Sequence, residues 1–547
     1  MKFFSRKNLL AGLLTLTFCV FILPVNERLA FTIPPDRKTQ LIAAGLKPLF
    51  AIFLFLIVHF TLTFIERLRA GDEDYKRWLK YAAIYFGIML VVFLLIYPGH
   101  FVWDEFQILN SVKVYGLNTW QGFLTNVYYT FNLYLVPTAV SIVVFQMVFA
   151  SLTIGYVVMQ VRKLVKNQRL ALLLFLLFLL PPIVLNNFYP LRLTAYSYVE
   201  LLLVSRLIFL YFNKFKVVDK YRELLIFTGL IMMVSYWRSE GMYYLLLFPV
   251  MVYLLGIFDR RHLKRITPIV YTGACLLILA FGLLLSRFAH DARYDLTAAI
   301  NPLSVMIQKP LHGDNVDARL KTIDKTLDVG VLKKYPDTEE VPSYWVGVVR
   351  EGYQAHLDSF NQQYAYLVLH NPGPFLSARL KTFLSANGFG KAAPFVGRNQ
   401  ITPFAQDYDA AVTTRFENEN YLATPLDVGV KKHVTQALLE VNDEGRFNLL
   451  GHILWNVIPI IILLLALGVW KLIKRQYFWL LPIGLVLLRV PLLFATEPAN
   501  YFMYYLPVYI VGGFILMLQL VLYVDKRHPA LATRFTGRSA LPHRKIR

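Results

Sequence analysis

Long apolar runs broken by short basic segments govern this chain. A helix needs roughly 20 mostly apolar residues to cross a hydrocarbon core. The sequence offers twelve such runs: 8–24, 41–64, 79–98, 136–161, 170–187, 196–213, 223–237, 241–258, 266–288, 449–470, 477–495 and 500–523. The 223–258 pair also reads as one bent hairpin. Only 289–448 departs from the pattern, with the mixed composition of a soluble segment and mostly helical periodicity. There Asn361 to His370 predicts a helix ended by the breaker Asn371-Pro372-Gly373-Pro374. A second helix follows, with Phe375, Leu376, Leu380, Phe383 and Leu384 opposite Arg379 and Lys381. That apolar face either rests on a bilayer surface or packs within the segment.

Composition agrees with the pattern. Of 547 residues, 57% are hydrophobic and 16% charged, against about a quarter charged in soluble domains. The net charge of +22 raises nucleic acid as a partner, and its distribution excludes it. With a cytoplasmic N-terminus and alternating sides, the inner segments hold 30 Lys and Arg and the short outer loops hold six. Basic residues in short loops resist translocation, so the charge is a topology signal spread over seven segments. Both termini are expected in the cytoplasm of a multi-pass plasma-membrane protein, and 289–448, with 16 basic and 19 acidic residues, outside. Lys2, Arg6 and Lys7 ahead of Leu9 to Leu23 resemble a signal peptide, but no small-residue cleavage site follows, so a retained signal-anchor is expected. Cys19 and Cys275, both in apolar runs, form no disulfide framework. The expected fold is an all-α polytopic membrane protein, with about 12 transmembrane helices and a mainly helical extracytoplasmic domain between helices nine and ten. Its divisions are a transmembrane region over 1–288, the outer domain over 289–448, a second transmembrane region over 449–524 and a basic cytoplasmic tail over 525–547.

Charges in or beside membrane helices are costly and usually serve a purpose. Asp104, Glu105, Arg192, Glu200, Arg238, Glu240, Arg489 and Glu497 fall near the expected outer boundary, and Lys47 and Arg206 complete the set. A transporter would place such groups near mid-depth on broken helices. Pro98 and Gly99 end the third run, and Asp104 and Glu105 follow at headgroup depth. The outer loop from there to Val136 is rich in Tyr115, Trp120, Asn126, Tyr128, Tyr129, Asn132 and Tyr134, either a sugar-binding surface or an interfacial aromatic belt. Arg238 and Glu240 also read as a structural cap or solvated pair, Arg192 as a residue snorkelling to headgroups, and Glu497 with Arg489 as an interhelical ion pair. His312, His356, His370 and His433 lack metal-ligand spacing to one another.

Four segments carry a resemblance: Tyr-Pro-Gly-x-x-x-x-Asp at 97–104; Arg238-Ser239-Glu240-Gly241; His370-Asn371-Pro372 before a helix; and Pro498-Ala499-Asn500-Tyr501 leading to Tyr504-Tyr505-Leu506-Pro507. Together with the many runs and the outer segment, they resemble the GT-C superfamily of membrane glycosyltransferases, in a bacterial GT-C-like group. The resemblance implies transfer of a sugar from a polyprenyl-phosphate lipid to an envelope acceptor (polymer, glycolipid or protein), with inversion. It implies Asp104 as general base, with Glu105 beside it, and Arg192 and Arg238 on the donor phosphate, supported by Glu240, Glu497 and Arg489. One departure stands out: Tyr189 to Tyr196 keeps the basic Arg192 but lacks the acidic neighbour that related enzymes often carry there. Glu105 or Glu240 would have to compensate. The departure also weakens the case for a divalent metal, because a metal site wants several oxygen ligands, and the metal stays open. The rival readings are a flippase or exporter of lipid-linked saccharides, an envelope polysaccharide polymerase or ligase, and a purely structural membrane protein.

Overall fold

The computed structural model describes residues 5–527 apart from 33–35, 102, 117–119, 121, 214–220, 259–265, 290–291, 340–342, 344–345 and 391–424. Every regular element among the described residues is helical. Pairing outside helices is confined to two isolated bridges, Leu327 with Val349 and Val441 with Phe447.

Among the described residues, eight helical segments are long and apolar enough to cross a membrane: Arg6–Ala30, Arg37–Arg69, Glu73–Leu95, Val140–Leu164, Arg192–Phe212, Leu449–Ile473, Tyr477–Thr496 and Phe502–Lys526. Of the other four expected runs, one is broken, two form helices of under 18 residues and one lies whole within a continuous helix. Residues 170–187, expected as one span, divide into a 3-10 turn over Gln168–Leu173 and two short helices, Leu174–Phe178 and Pro181–Asn186. A residue before proline is pushed out of the helical region, and Leu180 is extended at ψ 137° before Pro181. The runs 223–237 and 241–258 become Tyr221–Trp237 and Tyr243–Phe258, of 17 and 16 residues, joined by a 3-10 turn over Ser239–Met242. The run 266–288 lies in the helix Ile266–Ala289, of which Ile269–Leu283 is the apolar portion identified.

Burial ranks the helices. In Arg192–Phe212, 89% of the most apolar stretch is buried, against 17% in Arg6–Ala30 and 22% in Arg37–Arg69. The first is the axis of the bundle. The other two form its rim and turn Leu9, Leu13, Phe21, Leu49 and Leu56 outward, a surface that lipid tolerates and water does not.

Helices Ala292–Met306, Val316–Ile323, Val329–Lys334, Leu357–His370 and Pro372–Leu384 surround a separate core that includes Ile300, Leu303, Met306, Leu332, Phe360 and Leu367. The Pro372–Leu384 helix matches its sequence reading only in part: Phe375 and Phe383 pack on the apolar cores and Lys381 is exposed, as expected, but three positions are reversed. Arg379 is buried, while Leu376 and Leu380 are exposed. The guanidinium decides this: Arg379 Nη1 donates to the Glu497 carbonyl at 2.7 Å and Nη2 to the Ala298 carbonyl, which ties the helix to the end of the Leu480–Thr496 helix. The helix Val428–Leu439 instead joins the main core through Leu439.

Candidate functional site

The site starts from a turn. After Leu95, residues 96–101 lead to the helix Trp103–Lys113, which carries Asp104 and Glu105 in its first turn, where the helix dipole favours carboxylates. Gly99 sits at φ +95°, and a Cβ there would lie 2.8 Å from the Phe188 carbonyl oxygen. Only glycine meets both demands. The His100 backbone N–H then donates to that carbonyl at 2.9 Å. The partner turn is equally fixed. Gln146 Nε2 donates to the carbonyls of Asn187 at 3.0 Å and Tyr189 at 2.6 Å. The Asn187 side chain donates to the Tyr85 hydroxyl at 2.9 Å and accepts from Tyr198 at 2.7 Å. These buried polar groups hold the Asp104 turn and the turn before Arg192 as one body.

Most of the Tyr- and Asn-rich stretch is turned inward, with Trp120 and Tyr128 half-buried. It folds into Trp103–Lys113 and Phe123–Leu135, and Tyr115, Asn126, Tyr129, Asn132 and Tyr134 are buried. Their polar ends are used internally. Tyr129 donates to the Pro190 carbonyl at 2.8 Å, Tyr134 to Tyr115 at 2.9 Å and Tyr115 to Glu27 at 2.6 Å. Phenol and amide groups this deep must be satisfied, and here the protein itself does so.

Three arginines converge at the end of the bundle that bears the 292–384 core. Arg192, first residue of its helix, donates to the Trp120 carbonyl and the Tyr294 hydroxyl, each at 3.3 Å. Arg238 is buried and pairs with Glu240, its Nε 2.8 Å from Oε2. The pair is therefore internal, not solvated. Burial works against the Glu240 charge, yet Arg238 above all, with Arg489 and Arg192 beyond it, holds the carboxyl well below the usual carboxylate range. Glu240 thus lies within electrostatic reach of Arg192, whose own turn carries no acidic residue.

Arg489 corrects a second expectation. It pairs with Glu200 at 2.6 Å, not with Glu497, and also donates to Tyr196 at 2.9 Å. Glu200 accepts a further bond from Tyr244 at 2.8 Å. Glu497 lies elsewhere, accepting from Tyr505 at 2.7 Å. Burial pushes its carboxyl up to about 8, against the pull of Tyr505 and Arg379. Arg206 forms a two-pronged pair with Glu223 at 3.0 and 2.7 Å.

Asp104 is half-buried and Glu105 fully buried. Both act electrostatically on the Tyr129 hydroxyl, and Asp104 also acts on that of Tyr504. The Tyr504 ring centre lies 5.7 Å from the Arg238 guanidinium, and Arg238 in turn feels Tyr294, the hydroxyl that Arg192 touches. Asp104, Arg192, Arg238, Glu240 and Arg489 therefore form one constellation, with Glu105 behind it and Glu497 apart. Sequence reading missed Tyr294 and Tyr504 as its connectors, although Tyr504 stands in one of the quoted motifs.

Two of these cations are incompletely used. Arg238 Nη1 and Arg489 Nε and Nη2 are buried and find no hydrogen-bond partner among the described residues. Orphaned buried donors are rare in folded proteins and call for an explanation. Among the described residues no group of three His, Cys, Asp or Glu is placed to hold a metal ion, and guanidinium groups dominate the constellation, a donor set that does not fit a divalent cation. In comparisons with known proteins, no family model, no curated protein and no solved structure matches the chain.

Proposed function

We propose that this protein is a membrane glycosyltransferase that moves a sugar from a polyprenyl-phosphate lipid to a cell-envelope acceptor at the outer face of the membrane. The observation that carries the reading is the set of buried, unpartnered guanidinium N–H groups on Arg238 and Arg489, of which Arg238 faces Tyr504, whose hydroxyl also feels the half-buried Asp104. An anion at these N–H groups would satisfy them. A phosphate ester does so well, because guanidinium grips phosphate oxygens through paired bonds.

The chemistry follows from the two sets of groups. An acceptor hydroxyl attacks the anomeric carbon, and its proton passes to an Asp104 carboxylate oxygen. The bond between that carbon and the phosphate oxygen breaks, and the electron pair leaves with the lipid phosphate. Arg238 and Arg192, with Arg489 beyond them, stabilise the charge that grows on it. A single displacement inverts the anomeric centre. General-base assistance of this kind contributes about 10²–10⁴-fold.

The test uses purified full-length protein, labelled polyprenyl-phosphate sugar and envelope extract. Wild-type transfer that falls by about 10²-fold or more in Asp104→Asn is the expected result. Transfer equal in the two proteins removes Asp104 as base. Movement of intact lipid-linked sugar across reconstituted vesicles, without transfer, would assign the protein to the flippases instead.

A further inference from the structure

A lysine from the far end of the chain reaches into the turn ahead of Asp104. Lys431 lies on Val428–Leu439, a helix started by the Asp427 side chain, which accepts from the Val430 N–H at 2.8 Å. Its ammonium is buried and donates to the Gly99 carbonyl at 2.6 Å. One helical turn later, Thr435 Oγ1 lies 3.2 Å from His100 Nε2. The His100 ring is buried as well and stacks on Tyr189, centroids 4.6 Å apart and planes 15° from parallel. Two side chains at i and i+4 on one helix face therefore hold two consecutive residues of the turn. The same helix packs on Pro181–Asn186 and the Glu73–Leu95 helix, so its position is fixed against the elements that flank the turn.

Packing alone does not explain a lysine here. Burial pushes the Lys431 amine down to about 7, and a methionine of similar length would fill the space with no such cost. What lysine adds is a directed N–H on Gly99, the residue whose left-handed conformation sets the course of the chain toward Trp103–Lys113. Burial, with the Lys431 charge behind it, also lowers the basicity of the His100 ring.

We propose that Lys431 and Thr435 are positioning residues that clamp the Gly99–His100 turn and thereby fix the Asp104 carboxylate for reaction. This role rests on the glycosyl-transfer reading only for its catalytic consequence; the clamp itself is a statement about the turn. Misplacing a reacting group by about 1 Å costs on the order of 10²-fold in rate, so loss of the clamp should appear in kcat and leave the KM for the lipid donor unchanged.

The test uses the full-length chain in nanodiscs with two readouts. The first is transfer from labelled polyprenyl-phosphate sugar by Lys431→Met and Thr435→Val. The second, independent of activity, is the rate at which a charged maleimide labels Asp104→Cys, alone and combined with each substitution. Expected are a fall in kcat on the order of 10²-fold for Lys431→Met, an unchanged donor KM, faster labelling at position 104 and an unchanged melting midpoint. Thr435→Val should move both readouts the same way by less, and it decides the matter should Lys431→Met fail to fold. Unchanged labelling and unchanged kcat overturn the clamp, as does a loss of activity in Thr435→Val matched by an equal loss of folded protein. Wild-type protein without transfer, but with labelling at 104 that responds to Lys431→Met, sinks the enzymatic reading and leaves the clamp standing.

Discussion

Glu497→Gln offers a direct view of the seam between the bundle and the 292–384 core. Glu497 is 1% exposed. Its Oε2 accepts from Tyr505, and its Oε1 has no hydrogen-bond partner among the described residues. Arg379, the nearest cation, spends its Nη1 bond on the Glu497 backbone carbonyl. Burial therefore dominates and holds the carboxyl at about 8, from an ordinary value of 4.5. The sign is that of a raised acid. Below pH 4.5 folded and unfolded chains are both protonated, and the group's contribution to stability is complete. Between 4.5 and about 8 the unfolded chain releases a proton that the folded chain keeps, so stability falls as pH rises. Each pH unit in that window is worth about 1.4 kcal/mol, and the whole window up to about 5 kcal/mol. Glutamine keeps the shape and removes the titration. In detergent-solubilised full-length protein, followed by intrinsic fluorescence during thermal unfolding, wild type and Glu497→Gln should melt alike near pH 5. The variant should gain a growing advantage toward pH 8 that levels off above it. Curves that stay parallel from pH 5 to 9 would refute the argument. An advantage for wild type that grows with pH would mean that the carboxylate is ionised and paired with Arg379.

Arg489→Met strands the Glu200 carboxylate in the bundle axis with Tyr244 as its remaining described donor, and breaking a buried pair from one side costs about 3–5 kcal/mol. The double variant with Glu200→Gln should recover most of that loss in melting measurements, and a double variant no better than the single one would deny the pairing. Gly99→Ala places a Cβ 2.8 Å from the Phe188 carbonyl at a φ of +95°. It should depress kcat and speed maleimide labelling at Asp104→Cys even where the protein stays folded; wild-type values for both would show that the turn tolerates a side chain.

The 497–501 stretch shows how the 292–384 core and the bundle are joined. Arg379 bonds the Glu497 carbonyl, Asn301 the Pro498 carbonyl, and the Asn500 N–H donates to the Glu339 carbonyl at 2.9 Å. Four residues further on, Tyr504 stands against Arg238. The segment that carries the quoted Pro-Ala-Asn-Tyr motif is thus gripped on one side by the 292–384 core and touches the arginine constellation on the other.

Apolar length, helix-breaking prolines and the split between basic and mixed segments were all readable along the chain, because each depends on neighbours in sequence. They gave a chain whose described regular elements are all helical, with apolar helices long enough to cross a membrane, the position of the mixed segment, and the carboxylate and guanidinium groups worth watching. Even there, Pro181 turned one expected span into two short helices, since a continuous hydropathy signal does not register a break in backbone direction. Partnership was a different matter. Glu497 and Arg489 lie eight residues apart, yet Arg489 chose Glu200, 289 positions away. Arg379 turned inward against the apolar face of its own helix, and Lys431 found Gly99 across 332 residues. A buried charge takes whichever counter-group or carbonyl the packed helices bring within about 3 Å, and that choice exists only once distant segments share the same space.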